Sequence, residues 1–158
     1  MDTNSLILKR NTAFYIRRSI GAILLIAMAG VFFFSAYSKL YSENAFDSFQ
    51  WSFIDLGIGS SLFSGMLARF MIGSEVLLGL MLLAHVFLRK VTYPAIITIL
   101  SMFIVYLLVL IIKQGNTGNC GCFGDKLAMT PLNAIYKNLG MIAVTRVLMK
   151  IYDVKPYP

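Results

Sequence analysis

Apolar residues gather along the chain in four runs, about Ser19 to Ser38, Met66 to Leu88, Val91 to Ile112 and Pro131 to Met149. A helix rises about 1.5 Å per residue, so about 20 residues match a hydrocarbon core of about 30 Å, and each run predicts a transmembrane helix. Only Arg89 and Lys90 break the second run from the third, which predicts a tight helical hairpin. Thr130 stands where an N-cap is needed, and Pro131 takes the first helical position, where its missing N–H costs nothing. Basic residues before the first run and the Ala36-Tyr37-Ser38 stretch also suit a cleavable secretory signal, but the run is too long for one.

The polar breaks are uneven in charge. One set of flanks holds Lys9, Arg10, Arg17, Arg18, Arg89, Lys90, Arg146, Lys150 and Lys155; the other holds Lys39, Lys113 and Lys126 among Glu43, Asp47, Asp55 and Asp125. Cytoplasmic flanks retain Lys and Arg, so both termini are expected inside, with segment 42–64 and loop 113–130 outside. Within 42–64, Phe46, Phe49, Trp51, Phe53, Ile54 and Leu56 alternate with polar residues, a pattern suited to lying along the membrane interface. The expected fold is therefore all-α, a four-helix transmembrane bundle forming a single membrane domain over 1–158.

Composition agrees. The 158 residues are 58% hydrophobic and 13% charged, with a mean hydropathy of +0.76, against roughly one-quarter charged in soluble domains. The net charge of +7 sits at the ends of apolar runs rather than on one stripe, and no Gly-rich phosphate loop is present. Nucleic acid is therefore excluded as the expected partner, and the lipid bilayer takes its place.

The chain's two cysteines, Cys120 and Cys122, flank Gly121 in the loop between the third and fourth runs. Bridging residues so close requires a backbone bend, which Gly121 permits. Closing so small a ring stabilises little, and strain eases its reduction, so exchange suits the pair better than stapling. An external bacterial face is oxidising and lets such a disulfide persist. Two other readings stay open: a structural pair or inert thiols, and a metal site. No metal is expected from this chain alone, since two thiolates leave a tetrahedral site half filled and His85 lies toward the opposite end of the second helix.

Ionisable residues inside the runs add a second candidate site. Glu75 falls about 14 Å below Met66, and Lys137 and Asn138 about 9 to 10 Å below Pro131. At matching depths, Arg69, Glu75 and Lys137 are placed to form a polar cluster, with Tyr106 beside it, Lys39 above it and the cysteine loop over it. A buried carboxyl must find a partner or stay protonated, so Glu75 reads equally as a structural ion pair and as a functional group. Arg69 and Lys137 read as structural, Arg69 snorkelling to the surface. His85 is expected to be an interfacial or packing residue. Gly73, Ser74, Gly79 and Ala84 suit close helix approach.

The chain resembles the DoxX-like superfamily and, within it, the methylamine-utilisation MauE family. The resemblance rests on Phe34-Ser-Ala-Tyr-Ser-Lys39-Leu40, on Phe46, on Leu67-Ala-Arg69 through Glu75-Val-Leu-Leu-Gly79-Leu, on Cys120-Gly121-Cys122-Phe123-Gly124, and on Lys137-Asn138. It implies a four-helix protein linked to disulfide formation or thiol redox maturation of extracytoplasmic proteins, often with a thioredoxin-like partner. It also implies that Cys120 and Cys122 are the redox pair, supported by Lys39, Glu75 and Lys137. Ser35-Ala36 departs from the small residue and glycine of many relatives.

The function expected is that of a membrane-embedded thiol-disulfide redox protein in the bacterial cytoplasmic membrane. One cysteine, as a thiolate favoured by Lys126 or Lys113, attacks a partner disulfide or is attacked by a partner thiol, and the second cysteine resolves the mixed disulfide. Turnover requires an electron acceptor or donor; no cofactor is specified, and a membrane quinone near Glu75 is the candidate, with Glu75 handling a proton. The rival is a non-catalytic accessory subunit of a larger membrane complex, its cysteine pair structural. A transporter ranks last, since no interrupted helices or internal repeat are visible.

Overall fold

The computed structural model describes residues 3–41, 43–57, 59–116 and 129–152, with side chains described from Tyr15 onward except at Glu43. Among these residues the fold is all-helical: α1 (Thr3–Leu40), α2 (Glu43–Asp55), α3 (Ser61–Leu83), α4 (Tyr93–Gln114) and α5 (Pro131–Ile151), with one π turn over Leu88–Thr92. Three stretches are long and apolar enough to cross a membrane: Tyr15–Leu40, Ser61–Leu83 and Leu88–Gln114. α5 has the length, but Lys137, Asn138 and Arg146 interrupt its apolar positions, and it is not among the three.

Helix ends follow local chemistry. Thr130 caps α5, its side-chain oxygen accepting from the Asn133 N–H, and Pro131 opens the helix. α2 closes at Gly57, whose φ of 74° is open to glycine without penalty. The second apolar run, read as continuous to Leu88, breaks after Leu83: Ala84 caps α3, and His85 and Phe87 take left-handed backbone, with φ of 55° and 44°. Left-handed backbone in residues with a Cβ cannot continue a helix. The chain turns there, and the π turn feeds α4, with Thr92 Oγ1 donating to the Val86 carbonyl at 2.8 Å. At its other end α3 begins at Ser61, about a turn and a half before Met66.

Packing runs in pairs. α1 lies chiefly on α3, α4 on α5, α1 also touches α5, and α2 rests on both α1 and α3. Gly79 brings α1 and α3 close, since a Cβ there would sit 3.1 Å from the Phe33 ring. Gly73, expected to serve the same purpose, is exposed with no atom near a would-be Cβ, and Ala84 is an exposed cap. At Gly21 the α1 backbone passes so near Tyr152 that a Cβ would overlap its ring.

Two apolar clusters fill the interior. One, at the end carrying α2, joins Ala36, Phe49, Phe53, Met71, Phe103, Tyr106 and Ile135. The other, toward the turn, joins Leu25, Met28, Phe32, Leu82, Tyr93, Ile96 and Leu148. The amphipathic pattern read in 42–64 resolves as α2, which buries Ala45, Phe49 and Phe53 at i, i+4, i+8 and leaves Asp47, Ser48 and Trp51 exposed.

Candidate functional site

Between the two clusters lies a polar centre. Ser35 and Lys39 are four residues apart on α1 and so share a face, which packs on α3 at Glu75. Lys39 Nζ donates to Glu75 Oε1 at 2.9 Å and Oε2 at 3.0 Å, and to Ser35 Oγ at 2.8 Å. Ser35 Oγ in turn donates to Glu75 Oε1 at 3.1 Å. Both charged side chains are almost fully enclosed, at 1% and 6% exposure. Enclosing either charge alone would be prohibitive; together, with Ser35 between them, they form a neutral, hydrogen-bonded unit.

Aromatic rings enclose the ammonium. The Phe49 ring of α2 lies 5.4 Å from Lys39 Nζ and the Phe103 ring of α4 lies 5.7 Å away, within the range of cation–π attraction. Lys39, read as an external flank charge, therefore turns inward beneath α2. Its position four residues after Ser35, in an apolar run, is the sequence signal for that inward turn.

α5 completes the surroundings. A small cleft between α1, α3, α4 and α5 is lined by Ser35, Lys39, Glu75, Lys137 and Asn138 together with Phe32, Phe103 and Met141. Lys137 is half-buried and Asn138 buried. The structure thus gathers Lys39, Glu75, Lys137 and Asn138 around one space.

Arg69 stands apart. It is exposed, with its guanidinium 5.4 Å from the Phe46 ring, so α3 offers Glu75 to Lys39 and turns Arg69 toward α2. Tyr106 is three residues beyond Phe103 on α4, but its hydroxyl is hydrogen-bonded to Ser52 of α2 and its ring packs 4.9 Å from Phe53. Ser52 was not singled out from the sequence; its only signal is a polar residue amid the aromatic face of α2.

α2 is held by more than Tyr106. Lys113 Nζ donates to the Leu56 carbonyl at 2.7 Å, Gln50 Nε2 donates to the Ser61 carbonyl at 3.0 Å, and Gln114 Nε2 approaches Asp55 at 3.5 Å. Lys113, weighed as a thiolate-stabilising cation, thus has its ammonium on the end of α2.

The loop expected to carry the redox pair, with Cys120, Gly121, Cys122, Gly124 and Lys126, lies outside the described residues. Its flanks are described: the Leu132 N–H donates to Asn116 Oδ1 at 3.1 Å, tying the start of α5 to the end of α4. His85 is exposed at the opposite end, Nδ1 2.9 Å from the Leu83 carbonyl oxygen and its ring 5.9 Å from that of Tyr152.

An all-helical membrane protein built around an enclosed ammonium–carboxylate pair is the class these features define. The chain belongs to the MauE family: the model of methylamine utilisation protein MauE matches residues 17–151. Protein TlpB of Flavobacterium psychrophilum is 38% identical over 118 residues, covering 72% of this chain and 32% of TlpB, so the chain spans about a third of that relative's length. No solved structure matches.

Proposed function

We propose that this chain is a four-span protein of the bacterial cytoplasmic membrane, both termini inside, that passes disulfide bonds to extracytoplasmic proteins through Cys120 and Cys122. In this reading α5 is the fourth span, and the ion pair and Asn138 occupy the membrane interior. The observation that carries the proposal is the Cys-Gly-Cys sequence itself: the chain's only two cysteines stand one residue apart. Support comes from the loop's setting, since its two flanks are joined by the Asn116–Leu132 bond beside the α2 end of the fold. Family membership supports it too, since the resemblance to that family implies a link to thiol redox maturation.

The chemistry is exchange. A thiolate of the partner attacks the Cys120–Cys122 disulfide, one sulfur–sulfur bond forms as another breaks, and the second partner thiol resolves the mixed disulfide. The partner leaves as a disulfide and this chain as a dithiol, so electrons and protons balance within the exchange. A thioredoxin-like protein or the client itself fits the partner's role. Restoring the disulfide draws two electrons into a membrane acceptor, for which a quinone is the chemical candidate.

Thiol trapping in intact cells tests the reading. Both oxidised and reduced forms of the Cys120/Cys122 pair are expected, their ratio moving with client load, and Cys122→Ser is expected to accumulate a mixed disulfide formed in the reverse direction, its Cys120 thiolate attacking the disulfide of an oxidised partner. A pair fixed in one state, together with full client oxidation by the Cys120→Ser, Cys122→Ser double variant, would leave the accessory-subunit role in its place.

A further inference from the structure

The cleft between the four long helices has a property that the ion pair alone does not explain. It offers room for about one water molecule, and Asn138 lines it with only 3% of its surface exposed. The Asn138 side chain, on α5, faces this cleft beside Ser35, Lys39 and Glu75. Across the same cleft, Glu75 Oε1 accepts from both Lys39 and Ser35, and among the described residues Oε2 accepts from Lys39. A carboxylate oxygen with one donor retains capacity for another. A small enclosed space lined by an amide and a carboxylate suits a water, which needs two or more polar neighbours.

We propose that Asn138 and the Glu75 carboxylate hold one exchangeable water in this cleft, and that protons reach and leave the Lys39–Glu75 pair through it. Asn138 is then a positioning residue: it fixes the water, and the water addresses Oε2. Each exchange event moves one proton from Lys39 Nζ or the carboxyl to water as another returns, so charge is conserved and no redox partner is involved. The inference is independent of the cysteine chemistry, because it rests on groups in the helices alone.

Solid-state NMR on the isotopically labelled full chain in bilayers tests it with water as the probe. Magnetisation from water is expected to reach Glu75 Cδ and Lys39 Nζ in the wild type. Asn138→Leu, which fills the cleft with apolar atoms, is expected to slow deuterium exchange at Lys39 Nζ by about tenfold or more, the scale of losing one buried polar contact. Asn138→Ser keeps a hydroxyl and space, and is expected to restore most of the rate. Absence of water contact at Glu75 in the wild type overturns the proposal. So does an unchanged rate in a folded Asn138→Leu protein. If Asn138→Leu fails to fold, the wild-type contact and the Asn138→Ser rate decide.

Discussion

The Lys39 ammonium meets both oxygens of the Glu75 carboxylate, at 2.9 and 3.0 Å, so the last turn of α1 is fastened to the interior of α3. The two residues are 36 positions apart in sequence, with α2 between them. Their pairing therefore fixes where α1 stops and where α2 must pass.

Removing one member of the pair leaves the other charge enclosed and uncompensated. Lys39→Met and Glu75→Leu are each expected to lower stability by about 3–5 kcal/mol. The double variant Lys39→Met, Glu75→Leu is expected to lose much less than the sum, since apolar replacements remove both desolvation costs together. Denaturant unfolding in detergent micelles measures this, and additive losses would mean that the two groups do not depend on one another.

The two α3 glycines should respond oppositely. Gly79→Leu drives a side chain into the Phe33 ring and is expected to cost about 1–3 kcal/mol by overpacking. Gly73→Ala meets no atom and is expected to gain up to about 1 kcal/mol from helix propensity. Thermal unfolding of the two variants side by side checks the order, and equal effects would contradict the close approach of α1 and α3 at Gly79.

Tyr106 and Lys113 both hold α2 from α4. Tyr106→Phe keeps the ring beside Phe53 and removes only the hydroxyl bonded to Ser52, an expected cost of about 0.5–1.5 kcal/mol. Hydrogen exchange should rise in residues 44–56 and stay unchanged in α5. Lys113→Met should loosen the same segment, beginning at Leu56.

Sidedness can be read with thiol reagents. On a background of Cys120→Ser and Cys122→Ser, a cysteine at Trp51 is expected to react with an impermeant maleimide in intact cells. A cysteine at Lys90 is expected to react only after the membrane is opened. Labelling of Lys90→Cys from outside would invert the proposed topology and place the native cysteine pair in the reducing cytoplasm.

The sequence carried the helices better than their partners. Long apolar runs marked α1, α3 and α4 because length and apolarity are local properties, and the pattern of Phe49, Phe53 and their polar neighbours marked α2. The break at Leu83 was hidden, because His85 and Phe87 adopt left-handed backbone without a glycine to announce it. Glu75 stood out as an acid in an apolar run, yet depth alone also made Arg69 and Lys137 candidates for its partner. Choosing Lys39 required knowing which face of α1 meets α3 and that Phe49 and Phe103 would roof the ammonium. The Ser52–Tyr106 bond, spanning 54 residues, shows locally only as a polar residue amid the aromatic face of α2.

α1 ends one residue past Lys39, while α3 runs on from Glu75 for about four turns to Ser61. At that end of the fold α2 packs on both α1 and α3 and forms part of the wall. The thirteen residues of α2 are thus a fixed span, and a shortened connection between α1 and α3 would strip the roof from the Lys39 ammonium. A relative lacking this helix would have to borrow an equivalent from another polypeptide or give up its interior lysine.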